Sequence, residues 1–290
     1  MFMEQLSNGI ALGSIYALTA IGYTMVYGII RLINFAHGDI YMIGAFLSLT
    51  ALTLFNMPLV PAFLFGMAGA ALFGIVIAKF AYSPVFKAPR INLFLSAVGV
   101  AIFLENFAML VWGPETQSFP DVITNKAYNI LGLRITTLQL IILGTTIVLV
   151  AILTYVVQYT KLGRAMRCTS QDMDTAKLMG INTNRIVFYT FAIGSSLGAA
   201  AGVLVGMYYK AVYPMMGFVP GLKAFIAAVI GGVGSIPGAM IGGLIMGISE
   251  SLGAAYISSG YRDAIAFIIL IIILLVKPDG LFGKSIKEKI

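Results

Sequence analysis

Charge is the first thing this chain lacks. Only 10% of its 290 residues are charged, against about 25% in an average soluble domain. Sixty per cent are hydrophobic, and apolar runs near the roughly 20 residues needed to cross a bilayer recur from end to end. Cysteine is nearly absent: Cys168 stands alone, which excludes an intramolecular disulfide. Histidine is equally scarce, and a lone His37 argues against a zinc site built purely from protein ligands. No Gly-Lys-Ser/Thr phosphate loop occurs, so the chain is not expected to bind ATP itself. No grouping of Ser, His and Asp, or of Cys and His, supports enzymatic chemistry, and no cofactor is implied. The period-2 alternation of an outer-membrane barrel is missing as well. The formal net charge of +7 does not argue for nucleic acid, because basic residues of membrane proteins gather in cytoplasmic loops.

What is present reads as an all-α polytopic membrane protein. We expect a bundle of about eight to nine transmembrane segments with at least one broken or re-entrant pair, forming a single transmembrane domain over residues 1–290. The segments fall at about 6–30, 40–55, 59–80, 91–112, 136–159, 186–209, a short stretch from 222, 240–257 and 264–276. Small residues four apart mark close helix contacts: Gly9 and Gly13; Gly66, Ala70 and Gly74; and the long row Gly194, Gly198, Gly202, Gly206. The run 230–239, IGGVGSIPGA, is too rich in glycine for continuous helix. Glu4 stands where a signal peptide would be positive, so no cleaved leader is expected.

Basic residues orient the chain. Arg31, Lys79, Lys87, Arg90, Lys161, Arg164, Arg167, Lys177, Arg185, Lys277, Lys284, Lys287 and Lys289 fall on one side. Only Lys126, Arg134, Lys210, Lys223 and Arg262 fall on the other. The N-terminus is therefore expected outside and the C-terminus in the cytoplasm.

Residues 161–185, KLGRAMRCTSQDMDTAKLMGINTNR, form the longest run of dense charge. A short helix is expected inside it, capped by Thr169 or Ser170, with Asp172 and Asp174 in its first turn and Gly180 closing it. Met173, Ala176 and Gly180 give it an apolar or small face, which suits docking, either on this chain or on a partner.

Two polar features interrupt the spans. Residues 31–39, RLINFAHGD, carry Asn34, His37 and Asp39 and read either as a cytoplasmic turn or as a partly unwound stretch lining a pathway. Glu105, beside Asn106, and Glu250, between Ser249 and Ser251, lie inside apolar segments. A carboxylate at such depth must face protein or water. Each is either a hydrogen-bond partner within the bundle or a solute contact.

Several stretches carry a resemblance. NGIALGSIYAL (8–18), GYTMVYG (22–28), INFAHGD (33–39), MGIN (179–182), KAFIAAVIGGVGSIPGA (223–239) and PDGL (278–281) are similar, in collinear order, to H-type permease subunits of high-affinity branched-chain amino-acid ABC importers. The resemblance implies an inner-membrane assembly with a second homologous permease, two ATP-binding subunits and a periplasmic substrate-binding protein. It also implies a coupling loop that docks on the ATPase. Asp174-Thr-Ala176-xxx-Gly180 loosely matches that loop's Glu-Ala-Ala-xxx-Gly pattern. Asn34, His37, Asp39, Glu105, Asn106 and Glu250 become candidates for the translocation pathway. Branched-chain amino acids are the expected cargo; urea, amides or other amino acids are the alternative. An ion-coupled secondary transporter using Glu105 or Glu250, or a passive channel, would differ by working without a partner ATPase.

Overall fold

A computed structural model of the chain describes residues 2–30, 34–86, 88–124, 126–130 and 133–283. Arg31, Lys87, Lys284, Lys287 and Lys289, five of the residues that orient the chain, lie outside the described residues.

Two long helices form the centre. Helix α1 spans Phe2–Ile30 and is buried along most of its length. Apolar residues surround it on all sides, as expected of a helix enclosed by others. Helix α8, Thr183–Tyr209, packs beside it. In lipid no hydrophobic force drives helices together, so close van der Waals contact must do so. The glycine rows supply that contact inside the chain. A Cβ on Gly194 would lie 3.2 Å from the Gly22 carbonyl oxygen of α1, and one on Gly198 would lie 3.2 Å from His37 Nε2. Gly202 sits directly on the Tyr41 carbonyl, leaving no room for a side chain. Gly9 and Gly13 press α1 against α10 (Ile236–Tyr256), where a Cβ would come within 2.7 and 2.8 Å of the Ile248 and Leu244 Cα atoms.

Around this pair stand α2 (His37–Thr53), α3 (Leu59–Ile77, extended by a π turn to Tyr82 and a 3-10 turn to Val85), α4 (Arg90–Trp112) and α5 (Thr137–Tyr159). Helix α5 opens with the capping box Thr136/Gln139. Helices α6 (Lys161–Gln171) and α7 (Met173–Leu178) fill the charged loop, and α9 (Phe218–Gly231) and α11 (Arg262–Val276) complete the set. Short strands trim two loops: β1 (Gln117–Ser118) pairs with β4 (Ala211–Val212), and β2 (Ala127–Ile130) with β3 (Leu133–Thr136), each antiparallel.

Seven of these helices, counting the extended α3 and the 3-10 turn before α11, are long and apolar enough to cross a membrane. That is fewer than the eight to nine segments read from hydropathy. The difference lies in α2, with 17 residues, and α9, with 14. The His37 ring packs on Gly22, eight residues before α1 ends. Helix α2 thus begins beside α1 and not beyond its end. The break in 230–239 is real: α9 stops at Gly231, Gly232 and Gly234 adopt φ of +98° and +97°, and Ser235 caps α10 by accepting from the Gly238 N–H at 3.1 Å. Left-handed backbone of this kind is cheap only for glycine.

The charged loop differs from expectation in its cap. Helix α6 runs through Thr169 and Ser170, whose hydroxyls bond back to the carbonyls of Ala165 and Arg167 at 2.8 Å each. Both lie inside α6, not at the start of α7. Asp172 caps α7 instead: its Oδ1 accepts from the N–H groups of Asp174 and Thr175 at 2.9 and 3.0 Å, and its Oδ2 from the Thr175 hydroxyl at 2.8 Å. These bonds, those of Thr175 first, hold the Asp172 carboxyl below the usual carboxylate range. Gly180 closes the turn at φ +81°.

Candidate functional site

The N-termini of α2 and α9 meet backbone to backbone. A Cβ on Gly38 would lie 2.5 Å from the Gly217 carbonyl oxygen, and one on Gly221 would lie 2.9 Å from the Gly38 Cα. Only glycine on both sides permits this approach. Beside the junction, between it and α4, lies a cavity of about 300 Å³, at the lower end of the range for sites that hold a small molecule.

The walls of the cavity are apolar and aromatic: Tyr23 from α1, Phe35 before α2, Phe94 from α4 and Phe225 from α9. Phe35 bridges the last two, with ring centroids 5.4 Å from Phe94 and 6.2 Å from Phe225. Two carboxylates enter this lining, Asp39 and Glu105; no Lys, Arg or His does so among the described residues. Asp39 belongs to the first turn of α2, where the helix dipole favours negative charge. It is 4% exposed, and its Oδ1 has no hydrogen-bond partner among the described residues. Glu105 is half-buried on α4. The rim is apolar and uncovered in the single chain: Ile102 is 55% exposed and Phe218 65%.

The other expected pathway residues lie elsewhere. Asn34 is buried behind the wall, its Oδ1 accepting from the Tyr82 hydroxyl at 2.7 Å and from the Ala36 N–H at 3.1 Å. His37 is buried too, its ring 4.6 Å from that of Tyr23. Asn106 is exposed on α4 and donates to the Ile102 carbonyl of its own helix at 2.7 Å.

Glu250 sits in a separate ion cluster. Its Oε1 lies 2.9 Å from Lys223 Nζ, and its Oε2 accepts from the Tyr16 hydroxyl at 2.8 Å. Lys223 also reaches Asp263 at 2.8 Å. Lys223 is therefore buried in α9 and is not an outside loop charge, as the count above had it. Gly221, Leu222 and Phe225 line the cavity, and Lys223 anchors the other flank of the same helix. Tyr23, Phe94, Phe225 and Lys223 were missed as site residues, since nothing in their local sequence distinguishes them from core.

In the charged loop, Ala176 is 3% exposed and turned toward its own chain. The apolar residues that project are Leu178 and Met179, 88% and 79% exposed.

Other hollows lack this chemistry. A groove of about 460 Å³ between α3 and α5 has no charged group in its lining.

The whole chain is similar to known proteins. A family model described as "Branched-chain amino acid transport system / permease component" matches residues 5–274. The chain is 44% identical over 302 residues to the high-affinity branched-chain amino acid transport system permease protein LivH of Salmonella typhimurium, covering 100% of this chain and 98% of that one. LivH of Escherichia coli K12 gives the same identity and coverage. BraD of Pseudomonas aeruginosa, which bears the same description, is 41% identical over 301 residues, again covering 100% of this chain and 98% of the relative.

Proposed function

From a chain that belongs to the family of branched-chain amino acid transport system permease components, we infer a membrane-spanning importer subunit that passes leucine, isoleucine and valine through the bilayer. It is not an enzyme; ATP hydrolysis resides on partner subunits. The observation that carries the substrate class is the likeness to branched-chain amino acid permeases over the whole chain at 41–44% identity. The apolar, aromatic cavity with Asp39 and Glu105 suits an amino acid with a hydrocarbon side chain, and it lies where two short helices meet inside the bundle.

The assembly proposed is a second homologous permease, two ATP-binding subunits and a periplasmic binding protein, in a bacterial inner membrane. Helices α2 and α9 supply the short segments beyond the seven long ones. The excess of Lys and Arg around α6 and α7 supports placing that loop, and the C-terminus, in the cytoplasm. Asp174, Ala176 and Gly180 then belong to the element that meets the ATPase. Ala176 seats α7 on its own chain, Gly180 turns the chain back, and Leu178 and Met179 make the contact.

Reconstitution tests this reading. The purified complex with its binding protein, in liposomes, should take up radiolabelled leucine only with ATP inside. Uptake without any ATPase subunit would revive the secondary-transporter reading and sink this one.

A further inference from the structure

The cavity does not offer equal reception to the two ends of an amino acid. Its only charged groups, among the described residues, are the two carboxylates Asp39 and Glu105. The backbone features that could receive a carboxylate, the N-termini of α2 and α9, are largely engaged: in α2 the Asp39 and Ile40 N–H groups donate to the Ala36 carbonyl at 3.2 and 3.1 Å. In α9 the Phe218 N–H donates to the Met215 carbonyl at 3.1 Å, Gly221 N–H to that of Gly217 at 2.8 Å, and Pro220 has no N–H to give. Meanwhile Asp39, only 4% exposed, keeps Oδ1 without a partner among the described residues. A buried carboxylate oxygen left so is costly until a charged donor arrives. An ammonium brings three donors and a positive charge, and charge-assisted bonds of that kind are roughly twice as strong as neutral ones.

We propose that Asp39, assisted by Glu105, receives the α-ammonium of the amino acid in transit while Phe35, Phe94 and Phe225 flank its side chain. The ammonium, and not the carboxylate, is then the group by which this subunit admits its cargo. The assignment rests on the amino-acid transport function argued above. Solutes without an ammonium, such as urea, simple amides or the corresponding 2-hydroxy acids, would bring no positive charge to Asp39. An inorganic cation could in principle satisfy the same carboxylates, and the test separates the two.

The complete complex, with ATPase subunits and binding protein, is reconstituted in liposomes. Uptake of leucine and cross-linking by a diazirine analogue of leucine are measured together. Asp39→Asn should assemble in wild-type yield yet lose at least tenfold in uptake, and Asp39→Glu should restore part of it. The analogue should mark peptides containing Phe35, Phe94 or Phe225 in the wild type and leave them unmarked in Asp39→Asn. Should Asp39→Asn fail to assemble, Glu105→Gln, at a half-exposed position, carries the same test with a smaller loss. Wild-type uptake by an assembled variant, or labelling that persists in it, overturns the assignment and leaves the transport function standing. Uptake that collapses when external sodium is replaced by choline would put the metal ion on Asp39 and also overturn it. A wild-type complex that moves no amino acid overturns the function itself, which is a different result.

Discussion

Lys223 offers the sharpest test of how the bundle is held. Its side chain is 8% exposed and its two partners are unlike: Glu250 at 4% and Asp263 at 61%. Replacing Lys223 by Met removes the cation and leaves the Glu250 carboxylate buried with only the Tyr16 hydroxyl. Breaking a buried pair in this way costs about 3–5 kcal/mol, and we expect the lower end, because one hydrogen bond survives. Glu250→Gln should cost less, about 1.5–3 kcal/mol, the range for a lost hydrogen bond to a charged group, since Lys223 retains Asp263. Asp263→Asn removes an ion pair whose acid is exposed on the single chain, and for exposed pairs about 0–1 kcal/mol is usual. The double replacement Lys223→Met with Glu250→Leu should recover much of the first loss, as apolar replacement of a buried pair often does. The assay is the fraction of intact complex remaining in mild detergent across a temperature series, which ranks the four variants. If Asp263→Asn proves as harmful as Lys223→Met, or the double variant is worse than Lys223→Met alone, the cluster is not held together as its geometry states.

Three further outcomes follow from packing and topology. Gly202→Leu should abolish recovery of folded protein, because its Cβ would meet the Tyr41 carbonyl and backbone cannot yield as a side chain can; Gly99→Leu, with nothing within 4 Å of its Cβ, should be tolerated, and equal yields of the two would refute the contact. Exposed Cys168 should react with an impermeant maleimide only from the cytoplasmic side, and labelling of intact spheroplasts would reverse the orientation. Leu178→Asp with Met179→Asp should leave the permease folded but uncouple ATP hydrolysis from uptake, whereas Ala176→Trp should disturb α7 itself and show faster amide exchange in residues 173–180; normal coupling in the Leu178/Met179 variant would remove those residues from the contact.

The sequence made some of this legible and concealed the rest for physical reasons. Four-residue glycine spacing is a local pattern with one geometric consequence, so the row 194–206 could be read as a contact surface before its partners were known. The 230–239 break was legible for the same reason, since two positive-φ positions within five residues need glycine. The cap of α7 was misplaced because Thr169 and Ser170 are equally good caps in isolation. Only the continuation of α6 through them to Gln171 moves the break, and with it the cap, to Asp172. Hydropathy found the short segments near 40–55 and 222 but could not tell a span from a half-length helix. Glu250 was recognisable as an expensive residue, yet its partners are Lys223, 27 residues away, and Tyr16, 234 away. No periodicity spans such separations. Asp39 and Glu105 were named singly, and their sharing one cavity depends on how α2 and α4 pack.

The walls of that cavity are unequally held, and this bears on how a solute could pass. Helix α9 is fixed on three sides by interactions that do not slide. Its N-terminus lies backbone to backbone on Gly38, and its middle is tied by Lys223 to Glu250. Its C-terminal carbonyls at Ile230 and Gly231 accept from the N–H groups of Leu281 and Phe282 at 2.8 and 3.0 Å. Helix α4, opposite, is held through side chains. Ser96 donates to the Ala81 carbonyl at 2.7 Å, and Trp112 stacks on Phe46 at 4.9 Å while its N–H reaches Thr50 at 2.8 Å. Between those two points α4 presents Val98, Ala101, Ile102 and Glu105 to the cavity. Moving α9 would break a buried ion pair and backbone hydrogen bonds together, whereas shifting the middle of α4 rearranges dispersion contacts worth about 0.1–0.2 kcal/mol per atom pair. Widening the cavity therefore costs least on the side of α4, which carries Glu105, and most at the α2–α9 junction that holds Asp39.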